Sequence, residues 1–228
     1  MVKNELATDK GEQTRKQIFS SALELFRERG FDATTMQAIA AHAGVVKSAA
    51  YYYFPSKEAL IQAYYENVQA AQERLCEELF VTTKDLKTRL VTALHSKFDL
   101  TKDDRNLLGV VFRYTGEPHH PLSCLGPGTA AIRRRSTRVF QDAIAEEKLP
   151  QDLRVLLPLA LWALQMGLLV MFLYDDSENQ QRTRRMADGA LNLTLKLLGL
   201  AKLAILKPIR KAVLELLQQA ELLPGDSL

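Results

Sequence analysis

The sequence has few cysteines, few chain-breaking residues and almost no runs of alternating β-branched residues, and each shortage removes a class of structure. Its two cysteines, Cys76 and Cys124, lie far apart without a CxxC partner. That usage excludes a disulfide framework and fits a reducing compartment with two ordinary thiols. Eleven glycines and eight prolines fall in clusters, and with Leu and Ala dominant the chain reads as all-α, with no sheet. It holds no nucleophile elbow, phosphate loop, dinucleotide fingerprint or paired metal ligands, so neither an enzymatic activity nor a cofactor is expected. The opening MVKNELATDKGEQTRKQIF lacks an apolar core of signal-peptide length, and a cytoplasmic location is the expectation. A net charge of +3 permits nucleic-acid binding without requiring it.

Long apolar runs are limited to one. Val155 to Tyr174, VLLPLALWALQMGLLVMFLY, carries no charge over a length that could span a bilayer. Pro158, Gln165 and Gly167 lie inside it, Asp175 and Asp176 follow it, and no basic cluster flanks it, which favours a buried helix of a bundle or subunit interface over a membrane span.

The periodicity predicts a polar, disordered arm over 1–12, then a helix from Glu12 to Arg29 with Ile18, Ala22, Leu25 and Phe26 on one face, stopped by Gly30. Thr34 or Thr35 caps a short second helix striped by Met36, Ile39, Ala40 and Ala43. Gly44 makes a tight turn into a third helix, Val46 to Tyr53, closed by Phe54 and Pro55. Ser56 caps a long helix reaching Phe80. Further helices are expected at 84–101, 103–115, 129–148, 151–174, 179–199 and 205–220, with the loop GEPHHPLSCLGPG at 116–128.

The segment from Thr34 to Phe54 carries the function: two short helices joined by a Gly turn and packed on a preceding helix. Val45, Ala50 and Phe54 continue the apolar stripe and must face that helix. Lys47, Ser48, Tyr51 and Tyr52 then point away. A cation, a small hydroxyl and phenols suit a major groove, where phosphates flank base edges and thymine methyls. Tyr51, Tyr52 and Tyr53 project about 100° apart, so they cannot all enter one core.

The residues Thr14-Arg15, Ile18, Ala22, Leu25-Phe26, Gly30-Phe31, Thr34-Thr35, Ile39-Ala40, Ala43-Gly44-Val45, Tyr51, Tyr53-Phe54 and Ser56-Lys57-Glu58 occur in fixed order. In that pattern the stretch from Thr14 to Leu60 resembles the N-terminal domain of the TetR (tetracycline-repressor-like) family. The resemblance implies a helix-turn-helix DNA-binding domain at 13–56, a linking helix at 56–80, and a larger helical bundle at 81–228 for ligand binding and dimerisation. It also implies that Thr35 meets a phosphate, that Gln37, Lys47, Ser48, Ala49 and Tyr51 approach bases, and that Tyr52, Tyr53 and Lys57 grip backbone or thymine methyls. Two positions depart from the family pattern: Val46 stands where Ser is frequent, and Ala50 replaces a larger core residue.

The expected partners are a double-stranded palindromic operator, a second copy of the chain paired through 151–174 and 179–199, and an apolar or aromatic small-molecule effector. Candidate effector contacts are Phe98, Phe112, Tyr114, Trp162, Gln165 and Met166, which could equally be core. His119, His120 and Cys124 match no metal-ligand spacing, so no metal is expected. Arg133, Arg134, Arg135 and Arg138, like Arg182, Arg184 and Arg185, read as solvated helix faces. The competing readings are a DNA-binding dimer without an effector and a membrane-associated helical protein built on 155–174.

Overall fold

The computed structural model describes the backbone of residues 2–220 and the side chains of 10–220. Among the described residues all regular structure is helical, in ten α-helices with short 3-10 turns in several of the connections. These residues divide into two compact units, one of 2–67 with 103–130 and one of 68–102 with 131–220. The division in space therefore does not follow a division of the sequence at 80, because 103–130 cluster with the N-terminal residues. The last eight residues of the 81–228 segment lie outside the described residues.

The first unit begins with helix α1, Val2–Arg29. Its start corrects the expected disordered arm: 2–12 are helical, while Met1 lies outside the described residues. Glu5, Leu6 and Ala7 are good helix formers, and Gly11 weakens the run without breaking it. Lys16 and Glu12 pair across one turn at 3.0 Å, and Thr14 Oγ1 donates to the Lys10 carbonyl at 2.9 Å. Gly30, at φ +81°, ends the helix in a conformation that an L side chain would strain.

Helices α2 (Met36–His42), α3 (Lys47–Tyr53) and α4 (Lys57–Thr82) follow, and α4 contributes residues to both units. Ile18, Ala22, Leu25 and Phe26 of α1 are buried together with Ile39, Ala40, Ala50, Phe54, Leu60 and Ile61. Helix α1 packs on α2 and, later in the chain, is met by α6, Arg105–Arg113. The half-exposed Arg27 guanidinium donates to the buried Asp104 carboxylate at 2.6 Å. Tyr65 Oη donates to the Leu107 carbonyl. The 116–128 loop is a run of turns tied down by Gln62 Nε2 donating to the Pro121 carbonyl at 2.9 Å and Thr129 Oγ1 donating to the Ser123 carbonyl at 2.6 Å. A Cβ on Gly128 would lie 2.6 Å from the Pro121 carbonyl oxygen, so this crossing requires glycine.

The second unit holds the rest of α4 with α5 (Leu86–Thr101), α7 (Ala130–Ala143), α8 (Gln151–Leu173), α9 (Gln181–Ala201) and α10 (Lys207–Gln219). Helix α5 packs on α8 and α9, and α8 also meets α10. Phe98 and Phe172 stack at 5.1 Å in a core completed by Leu90, Leu94, Phe140, Leu161 and Leu191. By length and composition α8 could cross a membrane. Its surface nevertheless divides: Leu153, Leu157, Leu161, Gln165, Leu168 and Phe172 are buried within the unit, while Ala160, Ala163, Gly167, Val170 and Met171 are exposed.

Two expected solvated arginines are engaged instead. Arg135 donates to Glu73 at 2.9 Å, and Arg184 donates to Asp99 at 2.7 Å. The surface reading failed because the acidic partners lie on other helices, beyond the reach of a local charge pattern. At the corner between α8 and α9 the backbone turns through Asn179 and Gln180, both at positive φ. The α9 N-terminus is capped from upstream: Asp175 Oδ2 accepts from the Thr183 N–H and hydroxyl, each at 2.8 Å.

Candidate nucleic-acid interface

The helix-turn-helix is built from local signals. Thr35 caps α2, its Oγ1 accepting from the Ala38 N–H at 3.1 Å, while Thr34 turns inward and donates to the Gly30 carbonyl at 2.8 Å. Gly44, at φ +64°, makes the turn, with its own N–H on the Ala41 carbonyl and the Val45 N–H on the Ala40 carbonyl. Helix α3 then packs against α2 and buries Ala50 completely. Phe54 closes it beneath, stacked near Phe19 at 6.2 Å and under the Arg15 guanidinium at 4.8 Å.

With Ala50 and Phe54 inside, the opposite face of α3 is open. Lys47 and Ser48 are exposed, Tyr51 is 44% exposed and Tyr52 is 82% exposed. Lys47 Nζ lies 5.9 Å from the Tyr51 ring centroid, so cation and phenol share one patch. Thr35 and Gln37 at the start of α2 are also exposed. Ala49 and Tyr53 are partly covered, and Tyr53 meets Tyr52 edge-on at 5.1 Å. Lys57 differs from the rest: its Nζ donates to the Phe31 carbonyl at 2.7 Å and lies 4.5 Å from the Phe31 ring centroid. It closes the turn after α1, a role that sequence spacing alone does not reveal.

Val46 occupies the N-cap of α3 with extended backbone angles and no side-chain hydrogen bond, and it is 69% exposed. A serine there would supply the missing acceptor. Val46→Ser should stabilise the protein by about 1 kcal/mol, raising the melting temperature by roughly 2–4 °C. Calorimetry checks this, and an unchanged or lower melting temperature refutes it.

The six candidate effector contacts do not fall in one unit. Phe112 and Tyr114 belong to the first, where Tyr114 stacks on His120 at 3.6 Å. Phe98, Trp162, Gln165 and Met166 belong to the second. There Phe98 is fully buried, Gln165 Nε2 donates to the Ala93 carbonyl at 3.1 Å, and Trp162 and Met166 lie half-buried nearby in sequence on α8. The sequence reading missed the buried polar side chains around Gln165. Gln69, Gln72 and Lys97 are each at least nine-tenths buried. The available signal was the position of Lys97 on the stripe of Leu90, Ala93 and Leu94, where a lysine is readily read as an amphipathic stem reaching solvent. No group of three His, Cys, Asp or Glu side chains among the described residues is placed to hold a metal.

Comparison with known proteins agrees with this geometry. Residues 18–64 match the model for bacterial regulatory proteins of the tetR family, and residues 89–216 match that for a tetracyclin repressor-like C-terminal domain. The HTH-type transcriptional regulator YdgC of Bacillus subtilis (strain 168) is 31% identical over 107 residues, covering 45% of this chain and 55% of that protein. The HTH-type transcriptional regulator RutR of Escherichia coli (strain K12) is 52% identical over 46 residues, covering 20% of this chain and 22% of that protein. The chain thus spans about half the length of YdgC and less of RutR. Among solved structures, FadR from Bacillus subtilis in complex with stearoyl-CoA has a TM-score of 0.61 at 20% identity, covering 77% of this chain and 96% of that one. Thermus thermophilus FadR in complex with lauroyl-CoA has a TM-score of 0.58 at 22% identity, covering 81% and 92%. At those identities the likeness is one of fold.

Proposed function

We propose, from the premise that this chain belongs to the TetR family of DNA-binding transcriptional regulators, that it is a cytoplasmic homodimeric repressor released from a palindromic operator by a small molecule. The observation that carries DNA reading is the exposed face of α3, with Lys47, Ser48, Tyr51 and Tyr52 outward over a buried Ala50 and Phe54. Lys47 supplies charge toward phosphate, Ser48 a hydroxyl toward base edges, and the tyrosines rings and hydroxyls toward thymine methyls and backbone. Thr35 and Gln37 add contacts from the start of α2. Lys57, bonded within its own unit, supports the reading helix by holding the turn after α1.

A homodimer is supported by two unpartnered apolar stripes. On α9, Met186, Gly189, Leu193, Leu197 and Leu200 are exposed at steps of three and four. On α8 and its C-cap, Ala160, Ala163, Gly167, Val170 and Tyr174 are likewise exposed at steps of three and four. Two such helices from each subunit can form a four-helix interface, and a two-fold dimer matches two half-sites. The same stripes account for the membrane-like composition of α8 without a membrane.

An effector is supported by family membership and by the apolar core around Phe98 and Phe172. Two neighbours in fold were solved with stearoyl-CoA and lauroyl-CoA, which favours a ligand with a long apolar portion. Release follows only when the ligand prefers the conformation that misplaces the reading helices, and near-complete release requires about 5 kcal/mol of preference.

The test is selection of bound DNA from a random pool, which should return a palindrome bound with steep salt dependence. Tyr51→Ala should then weaken binding by about 1–3 kcal/mol per half-site, with the dimer intact by sedimentation. A variant that binds as tightly as the parent removes Tyr51 from the interface.

A further inference from the structure

The second unit contains a polar cluster where a helical bundle ordinarily has only aliphatic packing. One turn of α4 bearing Gln69 and Gln72 faces one turn of α5 bearing Ala93 and Lys97. Lys97 Nζ donates to Gln69 Oε1 at 2.8 Å, and Gln72 Nε2 donates to the Ala93 carbonyl at 2.7 Å. Gln165 of α8 donates to that same carbonyl. Gln72 is fully buried, and its Oε1 has no hydrogen-bond partner among the described residues.

This arrangement is costly as an isolated core. A buried ammonium whose hydrogen bond goes to a neutral amide loses hydration that the nearby Glu73 carboxylate, shared with Arg135, offsets only in part, and an unpaired buried carbonyl loses a hydrogen bond. Burial pushes the Lys97 amine down to about 7, opposed by the Glu73 carboxylate and the Cys76 thiol and aided by Arg135. Glu73 connects the cluster to the surface: it accepts from Gln69 Nε2 at 3.2 Å and from the partly exposed Arg135. Phe98 follows Lys97 directly on α5, is fully buried and stacks on Phe172, so the same turn of the helix carries both the amine and an aromatic core residue.

We propose that this cluster is the anchor of the effector site and that the effector is a carboxylic acid with an apolar body, its carboxylate held by Lys97. The Gln72 carbonyl takes a hydrogen bond from a hydroxyl or amide donor beside the carboxylate, and the apolar body lies toward Phe98. The assignment rests on the reading of the chain as an effector-controlled regulator and narrows the class of effector. It also predicts linked protonation: a bound carboxylate favours the charged amine, so binding is complete below the amine's own pKa and weakens as pH rises above it.

Trp162, the sequence's single tryptophan, lies one turn before Gln165 and reports binding by fluorescence. The full chain is titrated at pH 6.5 with decanoate, 3-hydroxydecanoate and 1-decanol. Decanoate should bind at least tenfold more tightly than decanol, and the hydroxy acid more tightly again. Lys97→Met should bring decanoate to the level of decanol, and Gln72→Leu should erase the preference for the hydroxy acid. Circular dichroism checks that each variant is folded. The parent protein supplies a measurement free of folding effects: its decanoate affinity should fall up to tenfold per pH unit above about 7, while its decanol affinity stays flat. Equal binding of decanoate and decanol, no decanoate binding, retained preference in a folded Lys97→Met, or a flat pH profile each overturns the assignment. Operator binding is measured in the same samples. Failure to bind palindromic DNA sinks the regulator reading, whereas DNA binding without carboxylate preference sinks only the anchor.

Discussion

Leu193→Glu should convert the proposed dimer to a monomer and lower operator affinity by at least about 100-fold, because a two-fold interface buries the new charge twice without a partner. Leu193 lies in the middle of the exposed α9 stripe, between Gly189 and Leu197, and is 57% exposed in the single chain. The substitution therefore leaves the subunit core intact, and circular dichroism should report an unchanged fold. Its effect on DNA follows from geometry. One reading helix covers one half-site, so a monomer forfeits the second set of phosphate and base contacts and the steep salt dependence that comes with them. Sedimentation equilibrium at micromolar concentration reads the assembly, and fluorescence anisotropy on the selected operator reads the affinity. A variant that remains dimeric and DNA-bound would move the interface away from α9. One that becomes monomeric yet keeps full affinity would remove the need for a pair.

Asp175→Ala should destabilise the chain by about 2–4 kcal/mol and lower its melting temperature by roughly 10 °C, since it leaves buried donors without their acceptor. Asp175 is 5% exposed, and Oδ1 accepts from the Ser177 N–H at 3.0 Å and its hydroxyl at 2.6 Å. Oδ2 serves the Thr183 N–H and hydroxyl. Burial works against the charged form here, but the hydrogen bonds from Ser177 and Thr183 outweigh it and hold the carboxyl well below the usual carboxylate range. A depressed folded-state pKa fixes the sign of the pH effect. The contribution is complete above the unfolded carboxyl's value near 4 and is lost as pH falls toward the folded value. In the parent protein part of the acid destabilisation below about pH 4 should disappear in Asp175→Ala, a difference measurable by denaturant titration at pH 3 and pH 7. Asp175→Asn, which keeps one acceptor oxygen, should fall between the two. Equal stability of parent and alanine variant at pH 7 would show that Asp175 does not hold the α8–α9 corner.

The α9 stripe and the Asp175 cap differ in how far the sequence alone reveals them. The exposed apolar stripe on α9 is periodic along one helix, and Met, Leu and Gly at steps of three and four can be read from the chain. The Asp175 cap cannot, because a local pattern looks for an acceptor immediately before the helix, whereas here the serving carboxylate lies eight residues before Thr183 across two residues at positive φ. The same distinction separates the open face of α3 from the Lys97 cluster. Lys47, Ser48 and Tyr51 are assigned outward from the stripe of Ala50 and Phe54 alone. Lys97 sits on an equally clear stripe, but whether a lysine there reaches solvent or stays inside depends on Gln69 of another helix.

Periodicity at 3.6 residues, the glycines at 30 and 44 and the threonine pair at 34 and 35 determined the helices, their stops and the open face of α3, because those signals act within a few residues of chain. Tertiary packing alone decided that Lys57 closes a turn, that Arg135 and Arg184 find carboxylates, that 103–130 join the N-terminal unit, and that a lysine and two glutamines remain buried. Each of these depends on a partner far away in sequence, and a partner's position is fixed only when the helices pack.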